Sequence, residues 1–159
     1  MDLIEIFNSI RDIPYHCPES AEDLNHSCWG KHRILYHRLM KAGHKVRYRV
    51  CEFKWSELKF PKELVDKAPT DSDLHLYLEI ELGEKWIKLD CSNDKSLGKY
   101  NKWDGKSDTE LQVKCKKILS PEESAIAEED NKKNHNKIVE EQQEFYCAIN
   151  KFLSKIRRN

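Results

Sequence analysis

Cys28 has the sequence setting of a nucleophilic cysteine. It lies in NHSCWGKH (25–32), at the start of a segment with helical apolar spacing that Asn25 or Ser27 could cap. At a helix N-terminus the dipole and the free backbone N–H groups favour a thiolate, and the same groups could stabilise an oxyanion. Acyl-transfer chemistry at Cys28 would then need a histidine and a carboxylate, which other elements must supply.

A metal site is the competing interpretation of this stretch. Its potential ligands are His16, Cys17, His26, Cys28 and His32. The set lacks the Cys-x-x-Cys and His-x-x-x-His spacings of zinc sites, so we predict no metal and no cofactor. His32 shares the helix face of Cys28 one turn later, where it could tune the thiol or simply pack.

A histidine and an aspartate follow in LHLYLEIELGEKWIKLD, where apolar and polar residues alternate as in the two strands of a hairpin. ELGE (81–84) fits a four-residue loop, and with that loop Leu78 faces Ile87 while His75 faces Asp90. Directly opposed Cβ atoms are about 4.5–5.5 Å apart, which allows an imidazole–carboxylate hydrogen bond. The hairpin therefore predicts a His75–Asp90 pair.

These residues together predict a catalytic triad of Cys28, His75 and Asp90. The thiolate would attack an amide carbonyl, His75 would protonate the leaving amine, and Asp90 would fix the histidine tautomer. The alternatives are a buried inert thiol for Cys28 and a surface or core histidine for His75.

The elements that must position the triad follow from apolar spacing. Helical patterns span residues 2–11 and 28–42, and Gly43 stands where the second helix would end. Residues 45–53 alternate as a strand, and ELQVKCKKIL (110–119) predicts a further strand. The sequence therefore predicts N-terminal helices packed on an antiparallel sheet.

Helix-start signals follow the sheet. FPKELVDK fits a short helix with Pro61 at its first position, and Ser120, Pro121 and Glu123 form a capping signature for a longer helix or helix pair. The final helix would bury one face, comprising Ile138, Phe145, Ile149, Phe152 and Ile156. We thus predict one α+β domain, with a core over 1–120 and a C-terminal helical extension over 121–159 packed on it.

The composition excludes several classes of function. The chain has 159 residues, enough for one domain, and its 28 Lys+Arg residues balance 28 Asp+Glu residues, so charge does not indicate nucleic acid or a membrane as a partner. No segment has the length of a transmembrane helix, and MDLIEIFNSIRD is unlike a signal peptide, which predicts a cytoplasmic protein. We expect free thiols at all six scattered cysteines, and a structural role for every one except Cys28, namely Cys17, Cys51, Cys91, Cys115 and Cys147.

Three blocks of the sequence resemble, in this order, the transglutaminase-like cysteine superfamily of transglutaminases, proteases and peptide N-glycanases. The blocks are SIRDIPY, SCWGKHRILYHRLMKAGHKVRYRV and HLYLEIELGEKWIKLD, and the resemblance spans roughly residues 3–95. Beyond Cys28, His75 and Asp90, the residues that match the family pattern are Ala42, Gly43, Arg47, Tyr77, Glu79 and Trp86.

The resemblance implies a small, prokaryotic-type, single-domain member with a papain-like Cys-His-Asp triad in a papain-like/transglutaminase-like core. It implies cysteine-dependent acyl transfer on the amide bonds of a protein or peptide substrate. Hydrolysis of the peptidase or amidase type is favoured over transglutaminase-like transfer, since no amine-acceptor site is evident in the sequence. No acidic cluster resembles a calcium site, so calcium dependence is not implied.

Two positions depart from the family pattern. The family usually has glycine two residues before the cysteine, where this chain has His26, and proline after the aspartate, where it has Cys91. We predict His26, Ser27 and Trp29 as oxyanion or cleft residues. The alternative function is a catalytically inactive fold that serves as a protein-binding module.

Overall fold

The computed structural model describes residues 2–158, which form a mixed α+β architecture around one antiparallel sheet. The sheet has the order β3-β2-β1-β4, with β1 at Val46–Lys54, β2 at Ser72–Leu82, β3 at Lys85–Leu89 and β4 at Lys117–Ile118. The helices are α1 (Leu3–Arg11), α2 (Cys28–Lys41), α3 (Lys62–Val65), α4 (Pro121–Lys133) and α5 (His135–Arg158). Within residues 2–158, no helix combines the length and the apolar character that a membrane span requires.

The two N-terminal helices confirm the sequence prediction. The Asp2 carboxylate accepts from the Glu5 backbone N–H at 2.8 Å and the Glu5 carboxylate accepts from the Asp2 N–H, so a capping box starts α1. Helix α2 begins at Cys28 with Ser27 at the N-cap position. It ends before Gly43, whose φ of 91° favours glycine.

The β2–β3 hairpin has a different register from the predicted one. Leu78 pairs with Leu89 and Ile80 with Ile87, because the loop has two residues rather than four. Gly83 is the first loop residue and has φ of 64°, as two-residue hairpin turns favour. The shift by two positions leaves every side chain on its predicted face, which is why the apolar pattern did not exclude it.

His75 and Asp90 meet in this register as diagonal neighbours. Asp90 follows the last paired residue of β3, and continuing the ladder would set it opposite Tyr77, two positions from His75. Diagonal pairs are about 7–8 Å apart, within reach of long side chains. The predicted contact is therefore present, with 2.7 Å between His75 Nε2 and Asp90 Oδ2, although the predicted register is wrong.

The hydrophobic core lies between the sheet and the helices in three clusters. The largest joins α1 and α2 to the sheet and includes Phe7, Ile10, Leu35, Leu39, Leu78, Ile80 and Leu89. A second, comprising Cys17, Leu64, Phe145, Ile149 and Leu153, lies under α5. The third comprises Cys28, Trp29, Val50 and Leu76, and it packs the first turn of α2 onto the sheet.

The sequence predicted one long helix or a helix pair after the sheet, and the structure has the pair α4 and α5, with a different buried face. Ser120 caps α4 with a complete capping box. In α5 the buried ladder is Phe145, Ile149 and Leu153, and Ile156 is 36% exposed. The prediction was therefore wrong for Ile156, because α5 packs with the i, i+4 row that ends at Leu153.

The segment before α4 corrects two further predictions. Of residues 110–119, only Lys117–Ile118 pair as a strand, against Cys51 and Glu52 of β1. Cys115 forms a disulfide with Cys51, so the expectation of free thiols is wrong for these two cysteines. The disulfide holds the loop before β4 against the middle of the sheet.

A cluster of charged side chains lies on the sheet. Glu79 Oε1 accepts from Arg47 Nε and from Arg49 Nη1, both at 2.8 Å. The Arg47 guanidinium lies 3.9 Å from the centroid of the Trp86 ring. Arg47, Glu79 and Trp86 therefore hold three strands together by ion pairing and cation–π contact.

Lys31 is a fully buried cation that joins three segments. Its Nζ donates to the carbonyl oxygens of Arg11 and Ile13 at 2.8 Å and of Ser92 at 2.9 Å. Burial lowers the pKa of Lys31 to about 8. The ammonium thus ties the end of α1 and the segment after it to the chain just beyond Asp90.

Replacing Lys31 with methionine is expected to lower the free energy of unfolding by about 2–4 kcal/mol, because three buried carbonyls lose their donor. Urea unfolding followed by circular dichroism measures the change. Lys41→Met, at an exposed position of the same helix, is the matched control and should change the value by less than about 0.5 kcal/mol. An equal change in the free energy of unfolding for both variants would contradict the role of Lys31 in joining the three segments.

Candidate active site

Cys28 is the first residue of α2, and the preceding turn determines its placement. The Ser27 N–H and hydroxyl both donate to Asn25 Oδ1, which folds residues 25–27 back against the helix. A Cβ at Gly30 would lie 1.6 Å from the Asn25 carbonyl oxygen, so glycine is required at this position. This required glycine therefore lies two residues after Cys28, and His26 stands two residues before it.

His75 on β2 is the imidazole beside Cys28. Its Nε2 is bonded to Asp90 Oδ2, which leaves Nδ1 as the ring nitrogen available to the thiol. Burial alone would lower the pKa of His75, but the charges of Asp90 and of the Cys28 thiolate outweigh it and raise the pKa to about 10. His75 is therefore held as an imidazolium beside Cys28.

Asp90 is fully buried and its carboxylate accepts four hydrogen bonds. Oδ2 accepts from His75 and from the Gln112 N–H at 2.8 Å, and Oδ1 accepts from the Ser92 N–H at 3.0 Å and hydroxyl at 2.6 Å. Burial would raise the pKa of Asp90, but the positive charge of His75 and these donors hold it well below its usual range. Asp90 is therefore ionised and fixed in orientation.

His32 is a second buried histidine, with a positioning role. Its Nε2 accepts from the Cys91 N–H at 2.9 Å, so Nδ1 carries the proton and donates to the Cys28 carbonyl oxygen at 2.7 Å. Burial lowers the pKa of His32 to about 4, which keeps the ring neutral. His32 thus connects the first turn of α2 to the chain beside Asp90 and does not supply charge to the thiol.

Cys28 and His75 line a cleft of about 760 Å³, including the part open to solvent. Its lining combines the Cys28 helix, β2, the 53–60 segment and α5, and most of the lining side chains are apolar or aromatic: Tyr15, Trp29, Phe53, Trp55, Leu58, Phe60, Leu74, Leu97, Val113, Tyr146, Ile149 and Leu153. Such a lining suits an apolar substrate segment.

Two of the three predicted cleft residues line the cleft in the structure. Ser27 and Trp29 line the cleft next to Cys28. His26 lies outside the lining, because its backbone pairs with that of His16 in a short antiparallel bridge. The prediction of His26 as a cleft residue is thus corrected.

Several groups around Asp90 lie outside the predicted set of site residues. Ser92 had a signal, since Asp-x-Ser is a pattern in which the carboxylate accepts from residues two positions on. Gln112 had none: its N–H reaches Asp90 from a distant loop, and its side chain lines the cleft. The Gln112 Oε1 is buried without a hydrogen-bond partner among residues 2–158.

One group of potential metal ligands lies outside the cleft. Ligand atoms of His16, Glu19 and Asp23 lie within 4.8 Å of one another. His16 Nε2 is bonded to Asp23 Oδ2 at 2.7 Å, which also accepts from the Glu19 N–H. The Asp23 carboxylate thus connects the His16 ring and the Glu19 backbone by hydrogen bonds.

No protein-family model, curated protein or solved structure matches the chain.

Proposed function

We propose that the protein is a cysteine-dependent enzyme that transfers acyl groups from amide bonds, with a papain-like/transglutaminase-like core. The observation that carries this proposal is the orientation of His75. Its Nε2 is held by the ionised Asp90, and its Nδ1 is left for Cys28 at the start of α2. Nucleophile, base and orienting carboxylate thus stand in the order that acyl transfer needs.

In the first half of the proposed reaction, the Cys28 thiolate attacks the carbonyl carbon of the substrate amide. A C–S bond forms and the carbonyl oxygen becomes an oxyanion, next to the first-turn N–H groups of α2, which have no intrahelical acceptor. His75 then gives its Nδ1 proton to the amide nitrogen, the C–N bond breaks, and an amine leaves a thioester on Cys28.

In the second half, His75 accepts a proton from water as the water oxygen attacks the thioester. Collapse of this intermediate breaks the C–S bond, releases a carboxylic acid and restores the thiolate–imidazolium pair. An amine in place of water would give transamidation. We favour hydrolysis of a protein or peptide substrate, because no amine-acceptor site is evident in the sequence.

Selective alkylation tests the proposed pair. At pH 6.5 we expect iodoacetamide to modify Cys28 at least about tenfold faster than the other free cysteines, because the His75 imidazolium lies beside Cys28. The competing thiols are Cys17, Cys91 and Cys147. Peptide mapping by mass spectrometry gives the rate at each site.

Cys17 requires its own control because it lines the same cleft. Cys17→Ser should leave the Cys28 rate unchanged within a factor of about two, since burial raises the pKa of the Cys17 thiol well above its ordinary value. Equal rates at Cys28 and Cys147 would contradict the proposal and favour the protein-binding module.

A further inference from the structure

Asp73 is a carboxylate in the cleft that the proposed chemistry does not use. It precedes His75 by two positions on β2, so both side chains lie on the same side of the strand, about 6–7 Å apart along it. Its Oδ1 accepts from the Leu74 N–H at 2.8 Å and its Oδ2 from the Trp55 indole N–H at 3.1 Å. These two bonds hold the carboxylate in the cleft wall.

Among residues 2–158, no lysine or arginine forms an ion pair with Asp73. The cleft lining, taken over residues 2–158, contains no lysine, arginine or glutamate, and His75 is the cation whose charge acts on Asp73. Because the charge of His75 is already matched by Asp90, the carboxylate of Asp73 adds an unbalanced negative charge to the cleft. Burial raises the pKa of Asp73, which is the expected cost of such an unpaired carboxylate.

The side chains around Asp73 suit a cation. Trp55 and Phe53 pack edge to face with centroids 4.9 Å apart, and Tyr15, Phe60 and Tyr146 line the same cleft. Aromatic rings near a carboxylate can bind ammonium and guanidinium groups by cation–π and Coulomb attraction together.

We propose that Asp73 is a specificity residue that binds a positively charged group of the substrate, an ammonium or a guanidinium, beside the amide bond that Cys28 attacks. The inference rests on the proposed function, because it places this group relative to the reacting thiol. The spacing of Asp73 and His75 places the positive group of the substrate about one extended side chain away from the carbonyl that Cys28 attacks.

A role for Asp73 in orienting His75 is the alternative. The hydrogen bonds argue against it, because His75 Nε2 is bonded to Asp90, and both Asp73 oxygens already accept from Trp55 and Leu74. Asp73 therefore binds the substrate that enters the cleft and does not orient His75.

Charged thiol reagents of matched size test the inference without knowledge of the substrate. Cys28 is modified with aminoethyl, ethyl and sulfonatoethyl methanethiosulfonate, and each rate is divided by the rate of the same reagent with N-acetylcysteine. We expect the cationic reagent to react at least about tenfold faster than the neutral one, and the anionic reagent to be slowest. Asp73→Asn, which keeps an acceptor for Trp55, should remove most of this preference.

The control variant is Asp71→Asn, an exposed carboxylate two positions earlier that bonds Ser56 outside the cleft and should leave the charge preference unchanged. Lysyl, arginyl, norleucyl and citrullyl coumarylamides distinguish ammonium from guanidinium as the preferred group. Lack of a charge preference in the wild-type protein would overturn the cation site even if Asp73→Asn did not fold. Slow iodoacetamide alkylation of Cys28 would instead overturn the proposed function, so the two failures are distinguishable.

Discussion

Replacing His75 with alanine is expected to lower kcat/KM for amide substrates by about a thousandfold or more. The variant lacks both the cation that stabilises the Cys28 thiolate and the acid that protonates the leaving amine. Alkylation of Cys28 at pH 6.5 should fall to the rate of the other free thiols. Hydrolysis of coumarylamides and site-resolved alkylation measure the two effects separately.

His37→Ala is the matched control for this experiment. His37 is an exposed histidine on α2, so its loss should leave kcat/KM within about twofold of the wild-type value. Circular dichroism establishes that both variants are folded. A His75→Ala variant that is folded and retains more than a tenth of the wild-type activity would contradict the assigned role of His75.

The pKa of His75 also predicts how its contribution to stability depends on pH. The folded pKa of about 10 lies above the ordinary value of 6.5, so this contribution is fully present below pH 6.5 and is lost as the pH rises through about 10. The stability difference between wild type and His75→Ala should therefore shrink between these limits. Urea unfolding at both ends of the range would reveal it.

The hairpin shows why the sequence predicted the His75–Asp90 pair but not its register. Alternating apolar residues determine which face each side chain occupies, and a shift by two residues changes no face. The loop length depends on the turn conformation at Gly83, which the apolar pattern does not encode. The predicted contact between His75 and Asp90 is present despite the different register, because diagonal neighbours are also within side-chain reach.

The helix that presents Cys28 was predictable because its signals are local. Apolar spacing and the start at Cys28 identified α2, and Gly43 marked its end. The requirement for glycine at position 30 was not predictable, since it arises from the approach of the Asn25 carbonyl to the helix. His26 was assigned to the cleft by analogy of position, and the bridge to His16 moves it away.

The path of the loop before β4 was not predictable from the sequence, because long-range contacts determine it. The Cys51–Cys115 disulfide and the bond from the Gln112 N–H to Asp90 join residues far apart in the chain. The Gln112 N–H is a backbone group that a regular strand would have paired. The alternation of residues 110–119 therefore predicted a longer strand than the structure contains.

Replacing Asp90 with asparagine is expected to lower kcat/KM by about a hundredfold or more at neutral pH. The variant loses the charge that stabilises the His75 imidazolium. Each oxygen of Asp90 accepts from N–H donors, on one side His75 and Gln112 and on the other Ser92. The amide nitrogen of asparagine must therefore face a donor on one side, which disturbs the orientation of His75 as well.

The pH profile distinguishes loss of charge from general damage to the site. Asp90 raises the pKa of His75, so its neutralisation lowers that pKa, and the alkaline limb of kcat/KM should move to lower pH. Asp104→Asn, at an exposed loop position, serves as the matched control and should keep the wild-type profile. An Asp90→Asn enzyme with reduced activity but an unmoved alkaline limb would show that Asp90 does not act on His75 through its charge.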